Sequence, residues 1–340
     1  MLEEQGRRKS VKQAIGGCTT DSFVIGEWDM AETAEVHSAL GDVAARQLAN
    51  ATKTAPTMLS ISPRWLVHLL PWVGVEAGIY RVNKVKDETR ILTACSQMEE
   101  ELELPDTFVD YDEHAREYFL SSVTTVVDVH TRVSDLYSYP HDQIKQQLRL
   151  AIETIKERQE SELLHNRDYG ILTNVPSGQR IKTFDGPPTP DDLDELITMV
   201  WKEPAFFLAH PKAIASFGRE ATRRGVPPAT VNLFGSPVIT WRGIPIVPCN
   251  KLKIEGNKSQ IMLMRTGEAR QGVVGLYQPG TSGEEGLGLS VKFMGISRKA
   301  IASYLISLYC SAAILTDDAV AVLDGVQIDK YHDYKHAYRK

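Results

Sequence analysis

Cysteine is scarce in this chain. Its 340 residues contain four, Cys18, Cys95, Cys249 and Cys310, far apart and with no CxxC pair. A zinc ribbon or a disulfide framework is therefore not indicated, and free thiols in a reducing compartment are the simple reading. Long apolar runs are lacking too, for no segment reaches the roughly 18 uninterrupted apolar residues of a spanning helix. The nearest, WLVHLLPWVGV at 65–75, is broken by His68 and Pro71, while 302–315 carries Ser303, Ser307 and Ser311. Both suit burial in protein rather than lipid, so no membrane partner is expected. The opening MLEEQGRRKSVKQ is basic but has no apolar stretch behind it, so it does not read as a secretory signal and the expected location is the cytoplasm. Positive charge is in deficit as well, 38 Lys plus Arg against 44 Asp plus Glu, net −6. That balance argues against a surface built to neutralise phosphates, and so against a nucleic-acid partner.

Catalytic motifs are absent in the same way. There is no GxSxG elbow, no HExxH helix and no Cys/His pairing at metal spacing. Gly283, Gly286 and Gly288 in GEEGLGL are not followed by Lys-Ser/Thr, and Glu284 and Glu285 would repel phosphate, so the segment reads as a solvated loop. His332 and His336 stand at i and i+4 near Asp329 and Asp333, a spacing that could hold a metal on a helix. Their wholly charged terminal setting fits a polar tail better, and no metal is assigned.

What is present is ordinary globular material, 42% hydrophobic and 24% charged, enough for one large core or two smaller ones. Its most informative stretch is 140–164, PHDQIKQQLRLAIETIKERQESELL. Ile144, Leu148, Ala151, Ile152, Ile155 and Leu163 form one stripe at a period of about 3.6, and charge crowds the other face. Pro140 suits a first helical position and Asp142 the positive end of the dipole. The spacing predicts a structural spine with no catalytic residues gathered on it.

Other blocks can be placed around the spine. Residues 1 to about 60 are polar and read as an arm, with Phe23, Val24, Ile25 and Trp28 too apolar to leave in water. GIYRVNKV at 78–85 and the Val/Thr-rich run 122–133 read as two strands of a long projecting hairpin, with the acidic MEEELELPD at 98–106 between them. Thr189, Pro190, Asp191 and Asp192 signal a capped helix start ahead of Leu193, Leu196, Ile197 and Val200. A second helix should open at His210–Pro211 and stop at Gly225. Short apolar runs VITW, IPIVP, IMLMR and VVGLY predict a β-rich module, followed by a helix over 297–310 and a strand over 319–323. Trp65, Trp72, Trp201 and Trp241 sit among aliphatics and suit core or subunit contact. Glu113, His114, Arg116 and Glu117 read as a solvated or interfacial face, and Asp317 with Asp318, like Asp191 with Asp192, as turn or cap chemistry.

Several runs together carry a resemblance: GDVAARQLANATKT, SPRWLVHLLPWVGVEAGIYRVNKV, VVDVHTRVSDLYSYPHDQIKQQLRLAIETIKERQE, GREATRRGVPP, VITWRGIPIVP, RTGEARQGVVGLYQPG and ILTDDAVAVLDGV. The chain resembles the family 2 encapsulins, and within them family 2A, the subgroup without an inserted cyclic-nucleotide-binding domain. The likeness runs from about residue 40 to about residue 335, spread over many segments. It implies an α+β fold of the Hong Kong 97 phage-capsid type. On that plan 1–65 would be the N-terminal arm, 66–77 and 134–204 the peripheral domain with its spine helix at 140–164, 78–133 the extended loop and 205–312 the axial domain. Residues 313–340 would complete the peripheral domain and form the tail.

The resemblance further implies self-assembly of about sixty copies into a closed icosahedral shell. The shell would be non-catalytic and hold no cofactor. Its implied cargo is a cysteine desulfurase, a pyridoxal-phosphate enzyme, held through a disordered extension of the cargo and serving sulfur metabolism or storage. By position Gly225, Val226, Pro227, Pro228, Ala229 and Thr230 resemble the loop that lines the five-fold opening, with the two prolines stiffening it. No segment marks cargo-binding residues. Two other classes stay open: a phage or prophage capsid protein packaging DNA, and a soluble sulfur-transfer enzyme using Cys249 or Cys310, which would need a thiol of depressed pKa.

Overall fold

The computed structural model describes residues 61–86, 106–130 and 143–331, except 185 and 234. In chain order the elements are α1 (Trp65–Leu69), β1 (Trp72–Gly74), β2 (Ile79–Val82), β3 (Arg116–Phe119), β4 (Ser121–His130), α2 (Gln143–His165) and β5 (Arg180–Lys182). Then come α3 (Pro190–Met199), β6 (Phe206–Ala209), α4 (Pro211–Arg223), β7 (Ala229–Leu233), β8 (Ser236–Trp241), β9 (Ile244–Pro248) and β10 (Lys258–Met264). The last are β11 (Val273–Tyr277), β12 (Glu284–Gly286), β13 (Leu289–Ile296), β14 (Ile301–Ile314) and β15 (Val320–Gln327).

A seven-stranded sheet runs β5-β15-β10-β6-β9-β8-β7. Its central strands are apolar on both faces. Phe206, Leu208, Met262, Met264, Val320 and Val322 join one core cluster, while Phe207, Ala209, Ile261, Leu263, Ala321 and Leu323 join another. That is why FFLA, IMLM and VAVL read as continuous apolar runs rather than alternating ones. The second cluster is closed by Leu193 and Leu196 of α3 and by Ala213, Phe217 and Ala221 of α4. Leu163 and Leu164 of α2 and Trp65 and Leu66 of α1 close the first. The start of α3 is as expected: Thr189 accepts from the Asp192 N–H and the Asp192 carboxylate accepts from the Thr189 N–H, a full capping box with Pro190 in the first turn.

The other large sheet has the order β1-β11-β14-β13-β12, with β4 also pairing with β14. Here two expectations are overturned. Residues 297–310 are not helical: 297–300 turn, with Ala300 at φ 56 and the Ser297 N–H donating to the Ile301 carbonyl, and the rest belongs to the fourteen-residue strand β14. The serines at 303, 307 and 311 imitate a helical period, but Ile301, Tyr304, Ile306 and Tyr309 favour a strand and neighbouring strands claim the backbone. The run at 122–133 is not the return strand of the projecting hairpin either. β2 pairs with β3, Ile79 opposite Phe119 through Val82 opposite Arg116, and β4 goes to β14 instead. Gly283–Gly288, expected as a solvated loop, contributes the short strand β12 paired with β13. The block expected at 205–312 thus divides between two sheets, and the seven-stranded one also takes β5 and β15 from outside it.

The chain resolves into two compact units. Among the described residues, the larger takes 61–86, 106–125, 152–292 and 306–331. The smaller includes 126–130, 143–151 and 293–305. Within the smaller, Ser303 Oγ donates to Asp128 and Phe293 tilts against Tyr304 with ring centroids 5.4 Å apart.

Candidate assembly site

Side chains lock distant segments of the chain together at two places. The strongest lock lies where the chain enters α1. Glu157 of α2 accepts from the Ser62 N–H (2.8 Å), from Ser62 Oγ (2.9 Å) and from the Lys251 ammonium. Arg64 reaches back to Glu153 and to Glu157. One turn further, the Glu160 carboxylate, 1% exposed, accepts from the Leu66 N–H at 3.2 Å. Burial pulls the Glu157 pKa up, but the hydrogen bonds from Lys251 and Ser62 outweigh it and hold the group below the usual carboxylate value. Glu160 has fewer donors, so burial wins and its pKa is raised. The apolar stripe read from the sequence misses these residues, since Gln159 and Glu160 are buried with Ile155, Leu163 and Leu164 while Ile144 and Leu148 are only half-buried. Pro140 and Asp142 lie outside the described residues.

A second lock holds the β2–β3 hairpin. Tyr118 Oη donates to the Ile314 carbonyl (2.7 Å) and accepts from the Ile314 N–H (3.2 Å), so it pairs both backbone groups of one β14 residue. Tyr80 donates to Glu268 at 2.7 Å, and Lys84 pairs with Asp317 at 3.3 Å. Asp317 and Asp318 sit in a 3-10 turn as their sequence suggests, but they do more than turn. Asp318 binds Arg265, which is 1% exposed, and Lys202. Burial opposes ionisation of Asp318, yet those two cations and Thr316 hold its pKa well down.

An exposed tip is formed where α4 leads into β7. The Val226 N–H donates to the Ala221 carbonyl and the Gly225 N–H to the Thr222 carbonyl, both at 3.0 Å. With Gly225 at φ +80 this is a Schellman closure, which needs glycine there. Glu220 beneath it accepts from Arg223 (2.7 Å) and Arg224 (2.9 Å), and Arg224 also pairs with Asp191 at 3.2 Å. The bond from Arg223, against burial and with help from Arg224, brings the Glu220 pKa down to about 2. Of the residues expected in one loop, Val226, Pro227 and Pro228 make the connection, while Ala229 and Thr230 already pair in β7 with Thr240 and Ile239. β7 is exposed along most of its length and forms the free edge of its sheet.

The remaining candidates disperse. Cys249 and Cys310 are buried and burial pushes each thiol up to about 12, the opposite of the activated thiol that a sulfur-transfer enzyme needs. Cys18 and Cys95 lie outside the described residues, as do His332, Asp333 and His336. Asp329 accepts from Asn257, and no metal-capable group of His, Cys, Asp or Glu occurs among the described residues. Trp65 and Trp241 are core, the latter edge-on to Phe217 and donating to Asp194, and Trp72 donates to the Val67 carbonyl. Trp201 is 70% exposed. Arg116 stacks over Tyr118, and Glu117 pairs with Arg81, so the 113–117 group makes no acid/base cluster. No described helix is long and apolar enough to cross a membrane.

The α+β frame that carries these locks and the exposed β7 is a capsid-type fold. The capsid of a native GTA particle shares that fold, with a TM-score of 0.57 at 14% identity over 81% of this chain and 94% of that one. The family model for the SrpI-like type 2A encapsulin shell protein matches residues 78–330. The chain belongs to this family of encapsulin shell proteins. It is 68% identical over 298 residues to the type 2A encapsulin shell protein SrpI of Synechococcus elongatus, covering 88% of this chain and 97% of that protein. It is 61% identical to a type 2A encapsulin shell protein of Mycolicibacterium paratuberculosis, over 87% and 97%. The holo-SrpI encapsulin complex from Synechococcus elongatus aligns with a TM-score of 0.77 at 65% identity, over 87% of this chain and 99% of that one.

Proposed function

We propose that this encapsulin shell protein closes into an icosahedral compartment of about sixty copies in the cytoplasm, itself non-catalytic, around a cysteine desulfurase. The pyridoxal phosphate would belong to that cargo, and sulfur metabolism or storage to the compartment. The observation that carries the compartment reading is the near full-length likeness to a shell protein seen in a holo encapsulin complex. The desulfurase rests on family resemblance alone. We assign Val226, Pro227 and Pro228, with the start of β7 at Ala229 and Thr230, to the rim of a five-fold opening. In support, the tip is exposed and its base is fixed by Gly225 and the Glu220–arginine cluster.

Light scattering on a sizing column with negative-stain imaging tests assembly. Uniform hollow particles of megadalton mass are expected, and a dimer or tetramer overturns the reading. Co-expression with a cysteine desulfurase carrying its disordered extension tests the cargo. Enzyme that co-purifies inside particles and is protected from protease supports it, and enzyme that elutes apart refutes it. Nuclease-protected DNA in the particles would instead favour the capsid alternative.

A further inference from the structure

Where the first core cluster runs out, the seven-stranded sheet becomes strongly basic. Val320 and Val322 of β15 face the core clustered with Met262 and Met264, and the next residue on that face is Asp324. Here two cavities of about 490 and 370 Å³ share Lys258, Asp324 and Gly325. The first is also lined by Arg180, Lys253 and His165, the second by Lys182. The register places Lys182 directly opposite Asp324. Asp324 is already engaged, pairing with Arg180 at 3.2 Å and accepting from Gln260. Lys182, Lys253 and Lys258 are exposed and form no ion pair among the described residues. Among the described residues, Glu255 is the one other carboxylate in the lining.

The backbone that carries Lys258 is fixed by a tight turn. Glu255 and Lys258 exchange N–H and carbonyl bonds at 2.9 and 3.0 Å across Gly256 and Asn257, whose φ values are +55 and +62. That is the geometry of a two-residue hairpin turn with a fixed twist. Asn257 in turn donates to Asp329 and accepts from the Ile328 N–H. The α2 C-terminus that approaches the groove would repel an anion if its carbonyls were bare. Three of the last four are covered: the Asn166, Ile171 and Leu172 N–H groups donate to the Glu162, Leu163 and Leu164 carbonyls.

We propose that this groove binds a short polyphosphate chain, with Lys182, Lys253 and Lys258 as its ligands. Three ammonium groups without an ion pair among the described residues, lining two adjoining cavities, match a ligand that repeats its negative charge along its length, whereas a single monovalent anion would leave most of them unused. The chain bears a net charge of −6, so the site is local and owes nothing to overall charge. The chemistry is shared by free condensed phosphate and by the phosphate tail of a nucleotide.

The test is calorimetric titration of intact particles with inorganic tripolyphosphate, and separately with ATP, at constant ionic strength. Saturable binding near one per subunit is expected, weakening as salt rises. Equal affinity for both identifies the phosphate chain as what is recognised, and tighter ATP binding identifies the nucleotide as the source. The double variant Lys182→Gln/Lys258→Gln should weaken binding about tenfold, with particle size checked by light scattering. If that variant fails to assemble, Lys253→Gln carries the test with a smaller loss. No saturable binding, or binding that the variants leave unchanged, overturns the proposal.

Discussion

The lock at α1 and the tip at α4 are both built from glutamates and arginines, yet they are opposite constructions. At the lock, carboxylates of one long helix reach across about ninety residues of sequence to backbone and side-chain donors at 62–66, and Glu160 lies in the core. At the tip, Glu220 bonds to arginines three and four residues along its own helix, and the segment it braces is in water. The first ties distant parts of the chain together and so bears on whether the subunit folds. The second shapes a short connection whose loss leaves the rest of the fold intact.

Four substitutions would sharpen that contrast. The largest effect is expected from Glu157→Ala, which strands the Ser62 N–H and the Lys251 ammonium together and should cost about 2–3 kcal/mol per subunit, seen as a fall in melting temperature and poor assembly. Glu160→Gln should act in the other direction. The raised pKa means that folding favours the neutral carboxyl, so above about pH 4.5 ionisation erodes stability until the folded-state value is passed. Glutamine keeps an acceptor for the Leu66 N–H, and the variant should gain about 1 kcal/mol at pH 7, with a flatter stability profile above pH 4.5. Equal pH dependence in wild type and variant would refute this.

At the tip, Gly225→Ala places a side chain at φ +80 and should cost about 1 kcal/mol while particles still form. Glu220→Gln should cost about 1 kcal/mol at neutral pH, since the carboxylate is 1% exposed while its partners Arg223 and Arg224, 53% and 33% exposed, keep part of their water. The lowered pKa puts that contribution above the ordinary value near 4.5 and removes it as pH falls toward about 2. Melting curves of both proteins should therefore converge in acid. A tip substitution that costs more than Glu157→Ala would break the comparison.

Local chemistry was legible in the sequence. The capping box at Thr189–Asp192, the glycine stop of α4 and the strands β8 to β11 each depend on neighbours in the chain, and each is where the residues put it. The errors fell where distant pairing decides. Residues 301–314 have a helical serine spacing, but strands from elsewhere claim their backbone, and the 122–133 run was paired with the wrong strand for the same reason. The site divided along similar lines. Gly225 announced the stop of α4, whereas Glu157, Glu160 and Tyr118 gave no local sign, because a glutamate on a helix looks solvated until the segment that covers it is known. Family likeness, not motif, supplied what composition could not.

The Schellman closure at Gly225 has a consequence for diversification. It finishes α4 with the helix's own carbonyls and the Gly225 and Val226 N–H groups, and β7 begins by pairing with β8, so Pro227 and Pro228 are bounded on both sides by structure that does not depend on them. Such a segment can be lengthened, shortened or replaced by a foreign peptide while the subunit folds as before. It is a natural insertion point, where a foreign peptide could be displayed without disturbing the helix and sheet on either side.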